Sequence, residues 1–330
     1  MHPEPSLREP EGPRFFYDYH KGETDVKEIK TVGIVGLGAL GVIFAHQLTR
    51  GAGYENVKIL ADAKRTARYK EEGVYLNDER CAFQYADAAQ EREPLDLLLF
   101  AVKFSGLEDA IDRCCHLVGP DTVIISALNG VFSEQILSDT FGAEKVVWCV
   151  AQKMPTRKEG NRVICSNFGE LALGVPAEQD KSRLRALTAF FDRVGFPYVL
   201  PEDIRIHLWS KLVCNTGCNQ AAMVYECGYG GLQVPGPARE AMLGAMREVV
   251  LVANAGGIAL SERDVEEWDS IICALPADGE PSMRQDGKAR RKSEVELFSG
   301  TIRRLAAKHG LAVPVNDWLY RRVLEMESAY

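Results

Sequence analysis

The stretch TVGIVGLGALG, Thr31 to Gly41, decides how the rest of the chain is read. An apolar run ends at Gly36, glycines recur at Gly38 and Gly41, and apolar residues follow at helical spacing from Ala39 to about Arg50. In a G-x-G-x-x-G turn each glycine has a mechanical task. Gly36 permits the sharp turn, Gly38 lets a pyrophosphate approach the backbone, and Gly41 lets helix pack on strand. The helix start then offers free N–H groups and its positive dipole end to an anion. Because strand, glycines, helix and a second apolar run, VKIL, all follow in order, a bare turn without ligand is the weaker reading. Gly36, Leu37, Gly38, Ala39, Leu40 and Gly41 are therefore read as the phosphate-binding turn of a dinucleotide site.

Outward from this turn the alternation continues: VKIL, a helix over about Lys64–Glu72, LLLFAV, a helical stretch near 106–117, then TVIISAL. Short apolar runs separated by helical periods specify βαβ units around a parallel sheet. VVWCVAQ, NRVICS and GELALGV are expected to add antiparallel strands to that sheet. After FPYVLP, which ends at Pro201, helical patterns take over, including 204–224, 237–255 and 287–309, with PADGEP (276–281) as a loop. The expected class is α/β: an irregular Pro-rich extension over 1–28, a Rossmann dinucleotide-binding domain over 29–201 and an all-helical domain over 202–330.

Composition limits the partners. With 330 residues and 46% hydrophobic content the chain can build two cores. Lys and Arg total 39 against 47 Asp and Glu, a net charge of -8, so there is no global positive field to gather nucleic acid or anionic lipid. The most apolar stretch, Val32 to Ala45, is too short to cross a bilayer and is interrupted by glycines. Nine cysteines, an odd number without C-x-x-C, fit a reduced, cytoplasmic chain with no metal site.

Three groups of residues are candidates for chemistry. Asp62 lies 21 residues past Gly41, where a carboxylate accepts bonds from the ribose 2'-OH and favours NAD(H); Lys64, Arg65 and Arg68 follow and would suit the 2'-phosphate of NADP(H). Spacing alone leaves both nucleotides open. Lys103 and Asn129 stand just past later strands, where ligands of open α/β sheets collect. In the helix HLWSKLVCNTGCNQAAMV, Lys211, Asn215 and Asn219 recur at four-residue steps, each drifting by about 40°, and so form one polar stripe. A lysine there can hold a carbonyl oxygen and protonate it as hydride arrives; His207, one turn earlier, is the alternative donor.

These elements together resemble the ketopantoate reductase (2-dehydropantoate 2-reductase) family. The resemblance runs from about Lys30 to Glu325 and rests on GLGALG, Lys103, Asn129-Gly130 and the helix motif Leu208, Trp209, Lys211, Leu212, Asn215, Asn219. It continues through Ser282, Met283, Gln285 and Asp286, then Ser293-Glu294, and ends on His309, Gly310, Val313, Pro314 and Asn316. It implies NADPH-dependent reduction of a small 2-oxo acid, ketopantoate to pantoate, a step towards coenzyme A. Lys211 would be the general acid, Asn215, Asn219, Ser282 and Asn129 would orient the substrate, and Glu294 would bind substrate hydroxyl or nicotinamide ribose.

The sequence also departs from the family pattern. Gln220 replaces a frequent proline, Ser299 an asparagine and Tyr229 an asparagine used at the substrate, while the Asp62 position is often basic in members that use NADPH. A different 2-oxo acid on the same scaffold, and a non-catalytic dinucleotide sensor, are the alternatives. A second copy of the chain, as a homodimer, stays open as a partner.

Overall fold

The computed structural model describes residues 27–330, so all but the last two residues of the expected N-terminal extension lie outside the described residues. Eight strands form the main sheet: β1 (Val32–Val35), β2 (Val57–Ala61), β3 (Gln84–Asp87), β4 (Leu95–Phe100), β5 (Val118–Ser126), β6 (Val146–Gln152), β7 (Glu170–Gly174) and β8 (Tyr198–Val199). Their order is β8-β7-β6-β5-β4-β1-β2-β3. The first six are mutually parallel, in the 3-2-1-4-5-6 order of a Rossmann sheet. Helices cover both faces, which is why β1 is buried at all four positions and why its sequence is a continuous apolar run rather than an alternation.

The crevice forms where the order reverses, between β4 and β2 on either side of β1, and the glycine turn sits at its mouth. Gly36 takes φ +100°, and a Cβ there would meet the Ala101 carbonyl oxygen at 2.7 Å. A Cβ on Gly41 would lie 2.0 Å from the Gly36 carbonyl oxygen, so the helix Ala39–Ala52 reaches the strand only because that side chain is absent.

Three expectations are corrected. NRVICS does not join the main sheet. Arg162–Cys165 instead pairs with Thr156–Glu159 and with Tyr75–Leu76 in a separate four-stranded sheet completed by Glu79–Arg80. Its alternation of exposed Arg162 and Ile164 with buried Val163 and Cys165 suits a sheet with one wet face, whereas β7 is buried from Leu171 to Gly174 and takes the interior place. VVWCVAQ does join the main sheet, but runs parallel to β5; only β7 and β8 run opposite.

Every element after β8 is helical. Pro237–Ala255, opened by proline in its first turn, carries Met242, Met246, Val249 and Val252 into the second core, and Pro314–Glu327 packs beside it. The expected helix over 287–309 is broken, the third correction. Ser282–Lys288 ends as Arg290 adopts φ +49° and the Arg291 N–H returns to the Asp286 carbonyl, a Schellman-type closure. Helical structure resumes only at Glu296, which leaves Glu294 on an irregular link.

Gly41→Ala is expected to lower unfolding free energy in urea by about 1–3 kcal/mol, the cost of forcing a methyl into a packed contact. Gly38→Ala, whose Cβ would meet nothing nearer than the Ala101 carbonyl oxygen at 3.6 Å, is expected to unfold like the parent chain. Equal losses in the two variants would contradict this account of the turn.

Candidate functional site

The helix Ile204–Cys214 starts at Asp203, whose carboxylate accepts the Arg205 N–H at 2.8 Å, and lies against the carboxyl end of β6. Two contacts fasten it there. Lys211 Nζ donates to the Ala151 carbonyl oxygen at 2.6 Å, and His207 Nε2 meets Gln152 Oε1 at 2.8 Å. Burial pulls the Lys211 pKa below the ordinary lysine range, while Cys149, Cys214, Glu294 and Glu134 pull it back up. An ammonium so placed gives up its proton more readily than a solvated lysine, and Lys211 lines a pocket together with Asn129, Gly130, Cys149, Leu208 and Asn215.

His207 is a poorer donor. Gln152 Nε2 donates to Glu170 Oε1 at 2.8 Å, which turns Gln152 Oε1 toward the imidazole and assigns the ring proton to Nε2. Burial, then the Lys211 charge, lowers the His207 pKa and holds the ring neutral.

The Lys211 helix does not continue as a regular α-helix. Residues Asn215–Asn219 form a π-helical turn before Gln220–Val224 resumes. A four-residue step overshoots a turn of 3.6 residues and falls short of a wider one, so the drift from Lys211 to Asn215 is reversed between Asn215 and Asn219. The stripe is kept in line. Asn219 Nδ2 donates to Asn215 Oδ1 at 3.4 Å, and Asn219 Oδ1 accepts from Ser282 Oγ at 2.9 Å and the Met283 N–H at 3.2 Å. Asn219 thereby holds the start of Ser282–Lys288 in place, and Ser282 itself is exposed.

Asn129 and Glu294, 165 residues apart in sequence, are joined by a 3.0 Å bond from Asn129 Nδ2 to Glu294 Oε2. Lys103 also crosses between the sheet and the helices, with Nζ 3.1 Å from Asp286 Oδ2, so Asp286 is a partner that spacing did not reveal. Two of the family departures touch each other: the Ser299 N–H donates to Gln220 Oε1 at 3.3 Å, and Ser299 Oγ donates to Asn316 Oδ1 at 2.7 Å. They form a buried structural contact. Tyr229 is partly buried and lies near Cys214 and Cys218 of the Lys211 helix, where burial raises its pKa and keeps its hydroxyl protonated.

The glycine turn fits a dinucleotide by a test internal to the fold. Gly36 and Gly41 are demanded by protein contacts, but Gly38 is not; the space its Cβ would fill is open. No side chain caps Ala39–Ala52, and no acidic residue occupies its first turn, so an anion meets no competitor there. Asp62 closes β2 as N-cap of Ala63–Glu72: Oδ1 accepts the Arg65 N–H at 2.7 Å, and Oδ2 lies 3.0 Å from Arg113 Nη1. Among the described residues no group of three or more His, Cys, Asp or Glu side chains is arranged to hold a metal ion, and no helix is long and apolar enough to cross a membrane.

One charged group near Lys211 was missed. Glu134, in the first turn of Ser133–Phe141, is 1% exposed; its Oε2 accepts from Ser133 Oγ at 3.0 Å, Ser133 Oγ accepts from Ser126 Oγ at 2.8 Å, and Oε1 has no partner. A glutamate in a first helical turn ordinarily complements the dipole from the surface, so nothing in FSEQIL signals burial. Burial pushes its carboxyl up to about 7. With the folded pKa above the ordinary 4.5, the ionised form is the disfavoured one, and stability falls as pH rises from that value through about 7. Between pH 5 and 8 the parent chain is expected to lose on the order of 3 kcal/mol relative to Glu134→Gln, read from urea unfolding at each pH. A difference independent of pH would refute this.

The comparisons agree with this geometry. The family model described as ketopantoate reductase PanE/ApbA matches residues 32–178, and that of the ketopantoate reductase PanE/ApbA C terminal matches 203–327. A 2-dehydropantoate 2-reductase of Aquifex aeolicus is 26% identical over 300 residues, covering 89% of this chain and 96% of that one. The crystal structure of 2-dehydropantoate 2-reductase from Geobacter metallireducens superposes with TM-score 0.79 at 26% identity, covering 89% and 99%. D-mandelate dehydrogenase, in a ternary structure with NADH and anilino(oxo)acetate, shares the fold with TM-score 0.81 at 21% identity, covering 91% and 99%. With both family models matched in order and its sheet, glycine turn and Lys211 helix in one frame, the chain belongs to the ketopantoate reductase family of oxidoreductases.

Proposed function

We propose that this chain reduces a 2-oxo acid to the corresponding 2-hydroxy acid with NADPH, and that ketopantoate, reduced to pantoate, is the substrate. The observation that carries this reading is the Lys211 ammonium, part-buried on the Ala151 carbonyl at the carboxyl end of the sheet and sharing a pocket with Asn129 and Asn215. Gly36, Leu37, Gly38, Ala39, Leu40 and Gly41 hold the dinucleotide phosphates, with Asp62 and Arg65 at the adenosine ribose. The bound nicotinamide supplies the hydride.

The protein supplies orientation and the proton. Lys211 polarises the C2 carbonyl and donates a proton to its oxygen as negative charge develops there, which a buried cation does best where water is excluded. Asn215 and Asn219 present amide groups beside it, and Ser282, through Asn219, fixes that pair. Glu294 accepts a hydroxyl of substrate or ribose while Asn129 holds it in place. Engagement of the nucleotide by Lys103 requires it to exchange Asp286 for the ligand.

Tyr229 supports a second reading. An aromatic side chain near the Lys211 helix, where the family pattern has a substrate-binding asparagine, favours a 2-oxo acid with a bulkier, less polar tail than ketopantoate. Following NADPH oxidation at 340 nm with ketopantoate and a panel of branched and aromatic 2-oxo acids separates the two, the larger kcat/KM naming the substrate; no turnover of any would end the proposal.

Lys211→Ala is expected to lower kcat by about 10² or more, the scale of a lost general acid. Because burial lowers the Lys211 pKa, the alkaline fall in the parent's kcat is expected below the ordinary lysine range and should vanish in the variant. An unchanged alkaline limb would assign the proton to another group.

A further inference from the structure

Lys158 lies on the edge of the glycine turn, and none of the chemistry above uses it. It belongs to Thr156–Glu159 of the smaller sheet, and its Nζ donates to the carbonyl oxygen of Leu37, the residue between Gly36 and Gly38. The side chain is partly buried, and the charged group that faces it is the guanidinium of Arg68, from Ala63–Glu72, the helix that follows β2. Among the described residues neither cation has a carboxylate within ion-pair distance, and Arg68 rests only on the Tyr69 ring. Two positive groups, one drawn out of water and short of an anion, thus stand beside the phosphate turn and on the helix that follows β2.

Such a pair is unfavourable by itself, since burial and like charge both penalise the ammonium. An anion between the two removes both penalties. The adenosine ribose of a dinucleotide lies beside these same elements, because the pyrophosphate sits on the glycine turn and the ribose hydroxyls reach the end of β2. Lys158 has two N–H donors left after the Leu37 carbonyl takes one, and Arg68 offers a planar fork.

Asp62, the residue that would otherwise exclude a 2'-phosphate, is already discharged. Its carboxylate is held by the Arg65 N–H and by the Arg113 guanidinium, with Arg65 Nε 3.6 Å away. These contacts, the backbone bond first, keep its pKa low and its charge compensated inside the protein. The net field around the ribose position is therefore positive, although the residue at the end of β2 is acidic.

We propose that Lys158 and Arg68 form a clamp for the ribose 2'-phosphate, so that the chain selects the 2'-phosphorylated dinucleotide without a basic residue at the Asp62 position. This inference rests on the reading of the chain as a dinucleotide-dependent reductase, and it adds the residues that choose between the two nucleotides.

Binding without turnover tests it. Dissociation constants for NADPH and NADH are measured by nicotinamide fluorescence in the full chain without oxo acid, and those for 2'-AMP and 5'-AMP by competition. The parent is expected to bind NADPH at least tenfold more tightly than NADH and 2'-AMP more tightly than 5'-AMP. Arg68→Met, at an exposed position, and Lys158→Met should each weaken NADPH by tenfold or more and leave NADH within twofold, while Lys158→Arg retains the preference. Equal weakening of both nucleotides would place Lys158 on the pyrophosphate and overturn the clamp, as would unchanged affinities. A parent that binds NADH but not NADPH would also overturn it while leaving the reductase reading intact; a parent that binds neither would remove that reading itself.

Discussion

The contact on which the site depends is the one between the Lys211 ammonium and the Ala151 carbonyl. It joins a helix of the C-terminal half to the carboxyl end of a strand in the Rossmann sheet, where ligands collect. A lysine held there loses its hydration, which lowers its pKa, while nearby acidic groups pull it back in the other direction. The same contact ties the two halves together: the glycine turn presents its open face on the sheet side, and the Lys211 ammonium approaches from the helical side.

Around this contact the chain places charges that no single element carries. Glu294 arrives from a link left irregular by the closure at Arg290, and Asn129 meets it from the end of β5. Glu134 is buried behind β6 and held through two serines. Glu294 and Glu134 both act to raise the Lys211 pKa, Glu134 only to the extent that it ionises, and neither lies within four residues of Lys211 in sequence. The two π-helical turns, Asn215–Asn219 and Glu296–Gly300, pack against one another next to these groups. Wide turns of this kind sacrifice regular hydrogen bonding to re-aim side chains, and they commonly lie at functional sites.

Much of this was legible from residue order. The G-x-G-x-x-G turn, the alternation of apolar runs with helical periods and the Lys211-Asn215-Asn219 stripe are local patterns, each fixed by a few neighbouring residues. Local patterning failed where partners were distant. Arg162–Cys165 has the composition of a sheet strand, but its alternating burial sends it to a second sheet. The periodicity over 287–309 is helical, yet the left-handed Arg290 interrupts it.

By itself the sequence determined the βαβ order, the glycine turn and the Lys211-Asn215-Asn219 stripe, because these rest on spacing within single elements. Only the tertiary structure decided which charges surround Lys211. It set Lys103 against Asp286, left one Glu134 oxygen without a partner, discharged Asp62 with Arg113 and put Lys158 against the carbonyl of Leu37. The physical reason is that pKa and charge compensation depend on burial and on groups within a few ångströms in space, and here those groups lie between about 50 and 180 residues apart along the chain.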